Sequence, residues 1–308
     1  MQRLYYLDNI KFFAILSVIS MHIYELMYVN DNIALQIVGR IGVPLFSLVS
    51  GVLMFPRDYC LTSLVKYFKH ASLPLFITSE IWIIFWACYN EKNIEAIVRC
   101  VLLIDNPCET MWYARMICRL YFVLPFFCML LHRCKYLFLL IMLGVFLLYS
   151  NFYQIDFAWI LKRLYLSDTN FMLYLLYMYI GYSVRNLKFE LFHVIAAIVV
   201  ILSIYFVLEG FHTKLWYNSP LLMLLSVPVF LTLKHCYSQK IGVMTLVARY
   251  SYGIYLSHML LVLIIYKYGL ILPEKLMFLI PLISIVVVIL ITIVIYSIER
   301  FSSKFAIV

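Results

Sequence analysis

Long apolar stretches without a charged residue organise this chain, as in the run from Ile283 to Ile295. A membrane β-strand would instead read as about ten residues of alternating polarity. Lipid offers no partner to backbone polar groups, so an unbroken apolar run must pair its own backbone as a helix. The pattern predicts spans over about 7–28, 35–55, 71–90, 111–131, 136–152, 169–184, 191–209, 216–233, 247–266 and 276–297, most of them near the roughly 20 residues a bilayer requires. The fold class expected is all-α, a polytopic transmembrane helical bundle of about ten spans. It forms one integral membrane domain over 1–308 with no separate soluble domain. The stretches at 91–110 and 153–168 are long enough for short amphipathic helices at the interface. At the amino terminus Arg3 is followed by Asp8 and Lys11 entering the apolar run, with no small-residue cleavage site. The first helix is therefore expected to be retained rather than cleaved as a signal. No internal repeat or low-complexity tract is visible.

Composition sharpens this reading. The 308 residues are 66% hydrophobic and 13% charged, with mean hydropathy +0.98. A soluble domain is about 45–50% apolar and roughly 25% charged, so a soluble enzyme, a disordered chain and a secreted disulfide scaffold are excluded. The net charge of +9 has a topological explanation and is not a nucleic-acid footprint. With the amino terminus inside, fourteen Lys and Arg fall on the cytoplasmic side, among them Arg3, Lys11, Lys66, Lys69, Arg185, Lys188 and Lys234. Eight fall on the other, among them Arg40, Arg99 and Lys162. The bias places both termini in the cytoplasm. The outer loops carry Asp31, Glu91, Asp105, Glu109, Asp156 and Asp168 among their acids. The eight cysteines are scattered, without a Cys-x-x-Cys pair or His at metal spacing. They are expected to be small buried hydrophobes, and no metal site is expected.

Polar residues inside spans are costly and point to function. In the first span Asp8, Lys11 and His22 share one face, Lys11 about 20° and Asp8 about 40° from His22. Lys11 lies about 16 Å from His22 along the axis. A cation thus stands at the cytoplasmic mouth and an imidazole near mid-membrane. Glu25, three residues on, is positioned to hold the second ring nitrogen of His22. The plain structural alternative is a snorkelling lysine and a packing histidine. The second span carries Arg40, then Pro44, which kinks a helix and frees a carbonyl. Ser47 and Ser50-Gly51 follow, where a backbone or ligand can approach closely. Lys66 and Lys69, three apart, fall on one helix face and suit phosphate. In the fourth span Arg115 and Arg119 stack at i, i+4, which calls for an anion or carboxylate between them. Glu80 in the third span is a structural partner for one of them. Ser251 and His258 in the ninth span share a face, a Ser-His pattern with no acidic third member evident.

Together these motifs resemble the acyltransferase-3 family of integral membrane O-acyltransferases. The family opening is leucine-aspartate, two residues, arginine, ten residues, histidine, and Leu7-Asp8, Lys11 and His22 follow it with Lys in place of Arg. The second-span phrase of proline, aromatic and Ser-Gly is matched by Pro44-Leu45-Phe46 through Ser50-Gly51. The family's basic pair is matched by Lys66 and Lys69, and its late Ser-x-Gly-Ile-Tyr-x-x-His phrase by Ser251 to His258. The chain is most similar to the short, ten-helix members that acetylate surface glycans in bacteria.

The resemblance implies a bacterial plasma-membrane O-acetyltransferase. No cofactor stays bound; acetyl-CoA (acyl-CoA) is the co-substrate, and a surface polysaccharide or lipid-linked glycan is the acceptor. The partners expected are that donor, that acceptor and membrane lipid, with no nucleic acid. His22 is the expected catalytic base, since imidazoles serve that role near neutral pH. Lys11, Lys66 and Lys69 are the expected donor-binding residues. Asp8, Glu25, Arg40, Ser50, Arg115, Arg119, Ser251 and His258 are supporting or substrate-binding candidates, with Arg115, Arg119 or Ser50 as oxyanion donors. A route through an acyl-imidazole is also open. The rival reading is a polysaccharide exporter or carrier without chemistry, its Arg and His lining a path for an anionic glycan. A structural scaffold leaves Lys11 and His22 on one face unexplained.

Overall fold

The computed structural model of the protein describes residues 3–27, 33–57, 59–102, 111–149, 171–188, 190–208, 217, 219–268 and 274–305. The unbroken apolar runs are helices. The first, α1 (Tyr5–Met27), is continuous. The second expected span is two helices, α2 (Ile33–Arg40) and α3 (Gly42–Met54), meeting at Ile41. Pro44 explains the joint: it has no N–H to give the carbonyl of Arg40, four residues earlier. Hydrogen bonding resumes on either side, Ile41 N to Ile37 O at 3.2 Å and Leu45 N to Ile41 O at 3.1 Å, so the chain bends there without ending.

The third span starts earlier than expected. Residues 61–70, read as part of a cytoplasmic loop, are helical: α4 (Leu61–Tyr67), a π-helical turn (Phe68–Ser72) and α5 (Leu73–Tyr89) run on continuously. Pro74 cannot donate to the His70 carbonyl. The wider turn just before it, closed by Leu73 N–H on Phe68 O, absorbs the lost bond. After α6 (Ile94–Val101), capped by Asn93 accepting from Ala96 N at 2.8 Å, come α7 (Trp112–Arg133), α8 (Lys135–Tyr149) and α9 (Phe171–Val184). Then follow α10 (Leu191–Leu208), α11 (Pro220–Cys236), α12 (Gly242–Lys267), a 3-10 turn (Glu274–Leu279) and α13 (Ile280–Phe305).

Six helical stretches are long and apolar enough to cross a membrane: Tyr5–Met27, Ile37–Met54, Thr62–Tyr89, Trp112–Arg133, Gly242–Lys267 and Ile280–Arg300. Four shorter apolar helices occupy the other expected spans: Lys135–Leu147, Met172–Val184, His193–Leu202 and Pro220–Cys236. On α13 Leu282, Val286, Ile289, Ile293 and Val294 are exposed, an apolar face that fits lipid rather than water. The α6 segment is a short helix within 91–110. The stretch 153–168 lies outside the described residues, as do Asp31, Asp105, Glu109, Cys108, Lys162 and Arg163. Of the other cysteines, Cys100, Cys118 and Cys128 are buried, whereas Cys60, Cys88, Cys134 and Cys236 are exposed. That corrects the expectation of uniformly buried thiols: these four stand at or beyond helix ends, where no neighbouring helix covers them.

The chain divides into two compact units, one of residues 1–49 and 183–308, the other of 50–182. In the first, α1 is central, packed on α2, α11, α12 and α13. Close approach and hydroxyl contacts hold it there. A side chain at Gly42 would collide with the Ala14 carbonyl. Ser17 donates to the carbonyls of Val38 and Gly39, and the Ser20 and Ser284 hydroxyls are 2.8 Å apart. Small residues and hydroxyls suit interhelical contact in lipid. In the second unit Phe55, Phe138, Tyr179 and Tyr182 form an aromatic cluster, and Tyr67 Oη donates to Tyr121 O at 2.7 Å. Gly51 presses directly on the backbone of Met178.

Candidate functional site

The site residues of the first unit gather where α1 meets α2 and α12. His22 lies on α1 five residues before Met27, so it stands toward one end of the helix. Its Nδ1 is 3.5 Å from Glu25 Oε2, one helical turn on, as the i, i+3 spacing allows. The other Glu25 oxygen is 3.8 Å from Arg40 Nη2. Arg40 is buried at the last residue of α2, where a cation also suits the helix dipole. Its guanidinium lies 5.9 Å from the centre of the Tyr217 ring. Burial pushes the Tyr217 phenol up to about 12, against the pull of the Arg40 cation, so it stays a neutral hydroxyl.

The fourth partner is His258 from α12. It is buried, and its ring centre is 5.2 Å from that of His22 with the planes tilted by 32°. The Nδ1 of His258 bonds to the Tyr255 carbonyl. A carbonyl only accepts, so this nitrogen carries the proton. His258 Nε2 is then the lone-pair side of the ring, and it has no hydrogen-bond partner among the described residues. Ser251 and His258 do not bond to each other: Ser251 donates to Ala248 O at 3.0 Å on its own helix. His258 is thus a neighbour of His22 and not the base of a serine nucleophile.

Lys11 is partly buried and shares the His22 helix. Asp8 is paired with Arg3, 2.8 Å away, and its charge also acts on Lys11. One turn of α1 is fastened to the segment after α11, since Asn9 Nδ2 donates to Tyr237 O at 2.7 Å and Gln239 O at 2.9 Å.

The remaining predicted residues belong to the second unit. Ser50 is hydrogen-bonded to the Tyr121 phenol. Lys66 and Lys69 do not sit on one regular α-helical face, because the π turn begins between them. Lys69 lines a lateral cavity of about 930 Å3 with Arg119, walled by Phe68, Phe76 and Phe122, and Lys66 does not. Arg115 is buried. Glu80 is buried too, but among the described residues neither of its oxygens has a hydrogen-bond partner, so it is not the partner of Arg115 or Arg119 that the sequence suggested. Ser79, one residue earlier, takes the contact with α7, with Cys118 Sγ 3.1 Å from its hydroxyl.

Sequence reasoning missed Tyr217, which falls at the start of the expected span 216–233 with nothing to single it out among the chain's 26 tyrosines. It also paired His258 with the wrong residue, since ring contact across helices leaves no spacing to read. Chemically the cluster offers a base nitrogen on His22, a carboxylate behind it, an arginine holding that carboxylate and a second imidazole against the first ring. The arrangement suits proton transfer at a hydroxyl. A family model described as "Acyltransferase domain" (Acyl_transf_3) matches residues 4–298. No curated protein and no solved structure matches the chain.

Proposed function

Because the chain belongs to this acyltransferase family and is by that membership a membrane acyltransferase, we propose that it moves an acyl group, acetyl in the simplest case, from cytoplasmic acyl-CoA to a hydroxyl of a surface polysaccharide or lipid-linked glycan. His22 is the general base. The observation that carries this reading is the Glu25 carboxylate 3.5 Å from His22 Nδ1, which leaves Nε2 as the working nitrogen.

In the reaction, His22 Nε2 takes the acceptor's hydroxyl proton as that oxygen bonds to the thioester carbonyl carbon. The carbon–sulfur bond then breaks, and the CoA thiolate leaves with the proton returned from the imidazolium. Glu25 steadies the positive ring during the transfer, and Arg40 keeps Glu25 in place. Lys11 meets the donor's phosphates about 16 Å down the helix, a span that the pantetheine arm bridges. With Lys11 toward the cytoplasm, the base sits toward the outer end of α1, where an extracytoplasmic glycan arrives. For Lys66, Lys69, Ser50, Arg115 and Arg119 the support is the motif pattern in the sequence.

The test is transfer of labelled acetyl from acetyl-CoA to glycan by the purified full-length protein in nanodiscs. His22→Ala is expected to lose about 10²–10⁴-fold in rate at unchanged protein level. Full transfer by that variant overturns the role of His22. Absence of transfer by the wild type with any acyl-CoA, alongside bound glycan, favours the carrier reading.

A further inference from the structure

A second cavity in the first unit, of about 800 Å3, lies outside the His22 cluster. Its size falls in the roughly 300–1,000 Å3 range of small-molecule sites. The polar wall is Arg185 and Lys188 from the segment after α9, Lys234 and His235 from the end of α11, and Ser238. Among the described residues no carboxylate lines it. Positive-inside charge explains why basic residues occur at this end of the protein. It does not explain why they converge on one hollow, where like charges repel unless an anion joins them.

One of these cations is also held in place. The Lys234 ammonium donates to the carbonyls of Arg185 and Leu187 and lies 5.9 Å from the centre of the Tyr6 ring. The cavity therefore presents a charge fixed in place before any ligand arrives. Its floor is tied to α1. Ser238 lies between the two residues whose carbonyls accept from Asn9, and the Tyr237 ring packs on Phe13 at 4.8 Å. Tyr6, Asn9 and Phe13 share one face of α1, so the hollow stands level with Lys11 along that helix but against the face opposite the stripe that leads to His22.

We propose that this cavity binds the phosphate groups of a cytoplasmic nucleotide ligand. Resting on the function proposed above, that ligand is acyl-CoA, with its 3′-phosphoadenosine end in the cavity. An anionic lipid headgroup carries the same phosphate chemistry, and the experiment separates the two sources.

Binding of CoA and of 3′-dephospho-CoA is measured on the full-length protein in phosphatidylcholine nanodiscs, for the wild type, Lys188→Gln/His235→Gln and Lys188→Arg. Both residues are exposed, and an unchanged melting profile verifies the fold of each variant. The double variant is expected to bind CoA about tenfold more weakly, to bind 3′-dephospho-CoA as the wild type does, and Lys188→Arg is expected to keep full affinity. Unchanged CoA affinity in the double variant, or equal loss for both ligands, overturns the assignment while leaving the acyl-CoA reading intact. Loss of co-purifying phosphatidylglycerol from the double variant with CoA binding unchanged makes the cavity a lipid headgroup site and also overturns it. A wild type that binds no CoA removes the acyl-CoA reading itself.

Discussion

Glu25 illustrates how much a single side chain can decide. Its two oxygens divide between His22 and Arg40, so it both orients the ring and holds a buried cation. Glu25→Gln keeps the size and removes the charge. A charge-assisted contact is worth about 1.5–3 kcal/mol, so the rate of acyl transfer should fall roughly tenfold to hundredfold, in kcat rather than in KM for the donor. A rise in donor KM with kcat unchanged would place Glu25 in binding. Cys60 is a second residue with a legible environment. It is the N-cap of α4, and hydrogen bonds with Thr62 and then Ser63 lower its thiol to about 7. Above that pH the thiolate dominates, so alkylation by iodoacetamide should climb through pH 7 rather than near the ordinary 8.5. Thr62→Val should move the climb upward, as followed by mass spectrometry of the Cys60 peptide. A Thr62→Val profile identical to the wild type would show that this hydroxyl does not set the thiol.

Among the elements, α3 and α5 show how proline writes itself into a span. Pro44 and Pro74 are visible in the sequence, and each marks a real departure from α geometry: the joint at Ile41 and the π turn at Phe68–Ser72. Only the bonding around them shows that one lost hydrogen bond becomes a bend between two helices and the other a widened turn within one. The same holds for glycine. Gly51 and Gly144 look alike in sequence, both inside apolar helices. A Cβ on Gly51 would overlap the Met178 backbone, whereas nothing lies within 4 Å of one on Gly144. Gly51→Ala should therefore destabilise by at least about 1–3 kcal/mol through overpacking. Gly144→Ala should be neutral or gain up to about 1 kcal/mol from helix propensity. Thermal unfolding of the purified protein in detergent compares them, and equal melting temperatures would remove the close α3–α9 contact.

For the molecule as a whole, the charge bias predicts a cytoplasmic segment before α4. A variant retaining Cys60 and replacing the other cysteines by serine makes this measurable. An impermeant maleimide should label it in inverted vesicles and not in intact cells. Labelling from outside would reverse the orientation, and with it the direction from which the Lys11 end of α1 is approached. Orientation is a property of loop charge summed over the chain, so no single helix contact can supply it.

Apolar runs too long for strands and too apolar for water settled that the chain is helical and belongs in lipid, because a bilayer leaves the backbone no other way to pair. The stripe of Asp8, Lys11 and His22 was readable for a related reason: residues on one helix share a face by spacing alone, and so does the turn joining His22 to Glu25. Contacts between helices have no such ruler. That Arg40 closes on Glu25, that His258 faces His22 rather than Ser251, and that four basic side chains from two distant segments share one hollow depend on which helices pack together. That is decided by shape, by small residues such as Gly42 and by hydroxyl bonds such as Ser20–Ser284, terms that exist only once the chain has folded.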